Sequence, residues 1–175
     1  MQQGLGIQVF MPYSDRLYAL GYWFRQLASE SLGKNGKGFT PVTALGSVDQ
    51  HSMVQLFLDG PNDKWYSFII KKQSGRGAVI PRDIPLKGCE YAQGKTIGDI
   101  MDSLQHGTIE AFARRKKPLR VFHVEQADEA TFGALMMHFM LETVITADLM
   151  GINAFDQPAV EDGKKIAKAY LEALP

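Results

Sequence analysis

Pro41-Val42-Thr43-Ala44-Leu45-Gly46-Ser47-Val48-Asp49-Gln50-His51-Ser52 is the stretch that decides the architecture. The run Val42 to Leu45 reads as a strand. It passes through Gly46 into a helix expected from about Val48 to Leu58, with no hairpin turn between. A strand that hands over to a helix belongs to a parallel sheet, where the chain must cross back before the next strand begins. In open α/β sheets such junctions line the crevice at the carboxyl ends of the strands, where ligands bind.

The same alternation extends in both directions. Ile7 to Met11 is a short apolar run closed by Pro12, consistent with a buried parallel strand. Ser14 is placed to cap the helix after it, whose apolar positions Leu17, Leu20, Phe24, Leu27 and Ala28 end before Gly33. Gly33 to Gly38 is a glycine-rich polar connection. Trp65 to Ile70 is a third strand rich in aromatic and β-branched residues, and Ser74 to Gly94 is long and irregular. Thr96 caps a further helix, Leu119 to Val124 is the fourth strand, and Asp128 to about Met150 the longest helix. A last helix runs from about Pro158 to Leu174, with Pro158 suited to its first turn. The expected fold is α/β, a parallel sheet covered by helices on both faces.

The 175 residues fall within one domain of ordinary size. With 19 basic and 19 acidic residues, net charge gives no argument for nucleic acid or an anionic membrane. Cys89 is alone, which excludes an intrachain disulfide and points to a reducing compartment. The four histidines (His51, His106, His123, His138) show no metal-ligand spacing. Gln2-Gln3-Gly4 does not read as a signal peptide. His138, Glu142 and Asp148 interrupt the apolar stretch from Phe132 to Met150, so it is not read as a membrane span. A cytoplasmic protein is expected. Phe132, Leu135, Met136, Phe139, Met140 and Val144 make one apolar stripe on that helix, and Met137, Leu141, Ile145 and Leu149 a second. A helix apolar on most of its circumference is expected to be largely buried, either as a central core helix or against another domain or subunit.

Three titratable residues stand out. Lys164 shares the apolar face of the last helix with Val160, Ala167 and Leu171, so it either snorkels outward or reaches into a cleft. His51 falls in the first turns of its expected helix, where the positive end of the dipole disfavours imidazolium; Asp49 and His51 fit equally well as decoration of a helix start. Glu30 lies near the C-terminal end of its helix, where a negative charge is unfavourable. Local rules broken without evident gain concentrate at functional sites, and a destabilised carboxylate is a stronger base. An exposed surface glutamate is the plainer alternative.

Several segments, in this order and spacing, resemble the glucose-6-phosphate isomerase family in its bacterial form. They are Val9-Phe10-Met11-Pro12-Tyr13-Ser14-Asp15-Arg16-Leu17, Glu30-Ser31-Leu32-Gly33-Lys34, Asp49-Gln50-His51-Ser52, Gly60-Pro61-Asn62-Asp63-Lys64, and Asn153-Ala154-Phe155-Asp156-Gln157-Pro158 with Gly163-Lys164. The resemblance implies that residues 1–175 form a single SIS (sugar isomerase) domain of flavodoxin-like, three-layer α/β/α fold. It would be the C-terminal half of an enzyme whose N-terminal SIS domain is absent here. It implies aldose–ketose isomerisation of glucose 6-phosphate and fructose 6-phosphate through a cis-enediol, without metal or organic cofactor, in a homodimer. Glu30 matches the base that moves the proton between C2 and C1. His51 matches the histidine that assists ring opening in the neighbouring subunit's site, Lys164 the lysine at the ring oxygen, and Gln157 a substrate-contacting glutamine.

No Ser-Gly-x-Thr-type phosphate loop and no Gly-Gly-Arg segment occurs in this sequence. The family keeps both in the other domain, so this chain alone is expected to be inactive. The competing reading is a free-standing SIS module that binds sugar phosphates without catalysis. Such a module would need a phosphate loop of its own.

Overall fold

The structure, a computed structural model, describes residues 4–85 and 87–174. Gln2-Gln3, and Leu86 within the Ser74–Gly94 connection, lie outside the described residues. The elements in chain order are β1 (Ile7–Pro12), α1 (Asp15–Leu32), β2 (Thr40–Thr43), α2 (Gly46–Ser52), α3 (Val54–Asp59) and β3 (Lys64–Lys71). After a 3₁₀ turn at Glu90–Ala92 follow α4 (Ile97–Arg114), β4 (Leu119–Val124), α5 (Glu129–Met150) and α6 (Val160–Glu172). The four strands are parallel in the order β2-β1-β3-β4, with Val9 opposite both Val42 and Tyr66, and Phe68 opposite Val121.

Alternation along the strands builds two cores. Phe10 and Ile69 face α1 and α5, where Leu17, Leu20, Phe24, Leu135 and Phe139 close around them. Val9, Met11, Tyr66 and Phe68 face the opposite side, against Phe57 of α3 and Phe112 of α4. Period-two side chains on the sheet therefore meet two helical layers, which gives the three-layer α/β/α sandwich. Phe139 lies 5.3 Å from Phe10 and 5.0 Å from Phe24, ring centroid to centroid, at tilted and edge geometries that aromatic pairs favour.

The termini of the helices follow local chemistry. Thr96 and Asp99 form a reciprocal capping box at the start of α4. Asp128 caps α5 by accepting from Thr131 N, and Gly151 ends it in the left-handed conformation. Ser14 occupies the cap position of α1 in extended conformation, yet its hydroxyl makes no capping bond; the acidic Asp15 complements the dipole instead.

Two expectations are corrected. The helix expected from Val48 to Leu58 is broken at Met53 (φ −123°, ψ −18°) into α2 and α3, which turns Phe57 into the core. And α5 is not buried on most of its circumference. Leu135, Phe139, Thr143 and Ala147 are buried, whereas Met137, Leu141, Val144, Ile145 and Leu149 are exposed.

By length and composition α5 could cross a membrane. Its inner face, however, lies on the sheet, and its Glu142 takes a bidentate pair of bonds from Arg120 of β4, both 2.8 Å. Arg120 also donates to Ser67 Oγ (2.8 Å), which accepts from Gln8 Nε2 (3.0 Å). A polar thread thus runs from β1 through β3 and β4 to α5.

Candidate active site

Helix α1 leaves the carboxyl end of β1 and returns to the amino end of the neighbouring strand β2. Its last turn therefore sits beside the amino ends of the strands, where Thr40 N bonds Gly6 O. Glu30 lies in that turn. The strand–helix junctions of the sequence point to a crevice at the carboxyl ends of the strands, whereas Glu30 lies at their amino ends.

Glu30 is exposed, and its carboxylate is held by two neutral amides. Gln26 donates to Oε1 at 3.1 Å, and Gln157 donates to Oε2 at 2.8 Å. The amides relieve part of the clash between the carboxylate and the negative end of α1. Around them lies a cavity of about 620 Å³, lined by Ser29, Glu30, Lys34 and Asn35 on one side and by Gln157, Pro158 and Asp162 on the other. The sequence brings these two walls together from positions more than a hundred residues apart.

The second wall is held by lysines of the Gly33–Gly38 connection. Lys34 Nζ donates to Asn153 O at 2.5 Å and pairs with Asp156 at 3.1 Å. Lys37 Nζ donates to the carbonyl of Met150 at the end of α5. Asn153 Oδ1 accepts from Phe155 N, which shapes the turn leading to Gln157.

Lys164 stands on α6, none of whose residues is buried. It is exposed, pairs with Glu161 at 2.8 Å, and is not among the residues lining the Glu30 cavity. His51 lies on α2, which leaves the carboxyl end of β2, and in the last turn of that helix rather than its first. The argument for a neutral ring from a helix start therefore does not hold. Nε2 of His51 lies 3.3 Å from Gln50 Nε2, and Gln50 Oε1 accepts from the Tyr13 hydroxyl at 3.0 Å. Burial pushes the Tyr13 phenol up to about 12, which keeps it protonated as that donor. Asp49 closes the start of the helix by accepting from Leu45 N at 2.6 Å.

The structure thus joins Glu30 to Gln157, leaves Lys164 on a solvated helix outside their cavity, and shows no contact of His51 with any of the three. Reading the sequence assigned no role to Gln26 or Lys34. The signal for Gln26 is its spacing, four residues before Glu30 on one helix. Lys34 stands in a polar connector, where a lysine attracts no notice until the facing segment is known.

A model of the phosphoglucose isomerase family matches residues 2–175. A probable glucose-6-phosphate isomerase of Methanococcus maripaludis is 39% identical over 169 residues, covering 97% of this chain and 38% of its own length. The glucose-6-phosphate isomerase of Rubrobacter xylanophilus is 37% identical over 170 residues, covering 97% of this chain and 39% of its own. The chain therefore spans about two fifths of the length of these curated relatives. Among solved structures, a hypothetical protein of Thermus thermophilus superposes with a TM-score of 0.88 at 38% identity, over 95% of this chain and 41% of that one. A glucose-6-phosphate isomerase of Chlamydia trachomatis shares the fold, with a TM-score of 0.78 at 21% identity over 98% of this chain and 36% of that one.

Proposed function

The chain belongs to the phosphoglucose isomerase family, and from that premise we propose that it is the C-terminal SIS domain of a cytoplasmic, homodimeric enzyme interconverting glucose 6-phosphate and fructose 6-phosphate. Glu30 is the base that moves a proton between C2 and C1 through a cis-enediol. Gln157 contacts the substrate beside it, Lys164 acts at the ring oxygen, and His51 assists ring opening in the site of the neighbouring subunit. No metal or organic cofactor enters this reaction.

The observation that carries the reading is the 2.8 Å bond from Gln157 to Glu30 across a cavity of sugar-phosphate size. A general base must be oriented and within reach of solvent-borne substrate, and it must not be quenched by a fixed cation. Glu30 meets all three conditions, since both of its side-chain partners are neutral amides.

What the cavity lacks matters as much. Lys34 is the one cation among its described lining residues, and Lys34 is already paired with Asp156. A phosphate needs donors, and an enediolate needs a charge or dipole aimed at it; loss of one such donor costs about 10²–10³ in rate. Both would come from the part of the relatives' length that this chain does not span. A free-standing sugar-phosphate-binding module is the weaker reading for the same reason, because it would need that phosphate grip here.

A coupled isomerase assay tests this. The purified chain alone should show no turnover, and adding the remaining part of a family enzyme in trans should restore some. Glu30→Gln should abolish what is restored. Full turnover by the chain alone would overturn its incompleteness, and restored turnover that survives Glu30→Gln would overturn the base.

A further inference from the structure

Lys34 is four residues beyond Glu30, and on a continued helix the two would form an ordinary ion pair. Gly33 prevents that. It leaves helical conformation at ψ 70°, and the chain turns so that Lys34 faces the segment after α5. There its side chain is only 8% exposed. An ammonium so nearly enclosed requires partners. It has two, the carbonyl of Asn153 at 2.5 Å and the carboxylate of Asp156 at 3.1 Å. The Lys34 ammonium in turn holds the Asp156 carboxyl below the usual carboxylate range.

Asp156 is followed directly by Gln157, whose amide holds Glu30. Two links therefore tie the end of α1 to the same loop, one residue apart along it. One is charged, with its lysine nearly enclosed and its carboxylate half-exposed; the other is neutral and exposed. Exposed amide bonds are weak holders of geometry, because water competes for both partners. The enclosed lysine, which engages both Asn153 and Asp156, is what can set the register of the loop.

We propose that Lys34 is a positioning residue for Glu30: by engaging Asn153 and Asp156 it sets Gln157 on the Glu30 carboxylate while committing its own charge elsewhere. The assignment rests on Glu30 being the base, but the contact it describes does not. The charged groups around Glu30 at the cavity are Lys34, on the same wall, and Asp162 of α6, on the other, with Asp156 on the loop. With Lys34 bound to Asp156, no cation among the described residues pairs with Glu30. Were the lysine released, it would compete with Gln157 for the Glu30 carboxylate.

The test uses this chain and the Gln157 side-chain amide resonances. In Lys34→Met, these should move toward the values of a free glutamine, and their exchange with water should quicken about fivefold, the equivalent of one lost net hydrogen bond. The Glu30 carboxyl carbon should shift with them. Lys34→Arg, which can still reach Asp156, should restore the wild-type signature. Asp156→Asn, which removes the charge but not the lysine, should shift both resonances, and it decides the matter should Lys34→Met fail to fold. Wild-type Gln157 and Glu30 signals in folded Lys34→Met, or in Asp156→Asn in its place, would overturn the proposal. So would failure of folded Lys34→Arg to restore them. Loss of Glu30 as base would show separately, as isomerase turnover in trans that survives Glu30→Gln.

Discussion

Gln157 donates its side-chain amide to Glu30 at 2.8 Å from a position 127 residues away. The bond joins the end of the first helix to the loop before the last. Replacing Gln157 with Leu removes one of the two donors to the carboxylate and leaves Gln26 in place. In the reconstituted enzyme this should lower kcat/KM about fivefold, the rate equivalent of one exposed bond near 1 kcal/mol. Steady-state kinetics with both hexose phosphates would check it, and an unchanged kcat/KM in both directions would show the amide to be idle.

Arg120 and Glu142 should behave as a unit. Glu142→Ala leaves a half-enclosed guanidinium without its carboxylate, and should cost about 1.5–3 kcal/mol by urea unfolding. Arg120→Met combined with Glu142→Leu should recover most of that, because an apolar pair replaces the ion pair without stranding a charge. A double variant no more stable than Glu142→Ala would contradict this account.

Gly46 admits no side chain. A Cβ there would stand 2.4 Å from the ring of Tyr13, which is buried and bonded to Gln50. Gly46→Ala should therefore cost about 1–3 kcal/mol as the ring is forced aside. The disturbance should reach the His51 ring signals through Gln50. Unchanged stability together with unchanged His51 signals would show the approach to be looser than this.

Asp99 gives a pH dependence of definite sign. It accepts from the Ser74 hydroxyl, Thr96 N and Gly75 N, and these donors hold its carboxyl well below the usual range. A folded-state value depressed below the unfolded one contributes stability above the ordinary Asp value near 3.9, and loses it as pH falls toward the folded value. Asp99→Asn should thus be less stable than wild type at neutral pH, with the difference closing below about pH 4. Urea midpoints across that range would reveal it, and a difference that widens on acidification would refute it.

Much of the fold was legible because it depends on local pattern. Strands β1, β3 and β4 fall where the apolar runs place them, and Thr96 announces its capping box within four residues. Met53 was not legible, since no Gly or Pro marks the break, and only the need to seat Phe57 against Tyr66 explains it. The two stripes of α5 could be seen, but not which one the sheet would take. In the site, Glu30 and Gln157 were both singled out, yet their contact depends on where α1 ends relative to the loop after α5. That relation is set by Lys34, Lys37 and the length of two helices, none of which carries a local signal.

Glu30 lies in the helix turn that reaches the amino ends of the strands, and His51 on the helix that leaves the carboxyl end of β2; the strand β1 between has six residues, about 20 Å of extended chain. One copy cannot close a single pocket around both. If the working site draws Glu30 from one subunit and His51 from the other, genetics inherits the geometry. Two alleles of the whole enzyme, one bearing Glu30→Gln and the other His51→Ala, should each be dead alone yet partly viable together. A mixed dimer of that kind has one site missing both groups and one site intact, so co-expression should yield up to about half the wild-type turnover per hybrid.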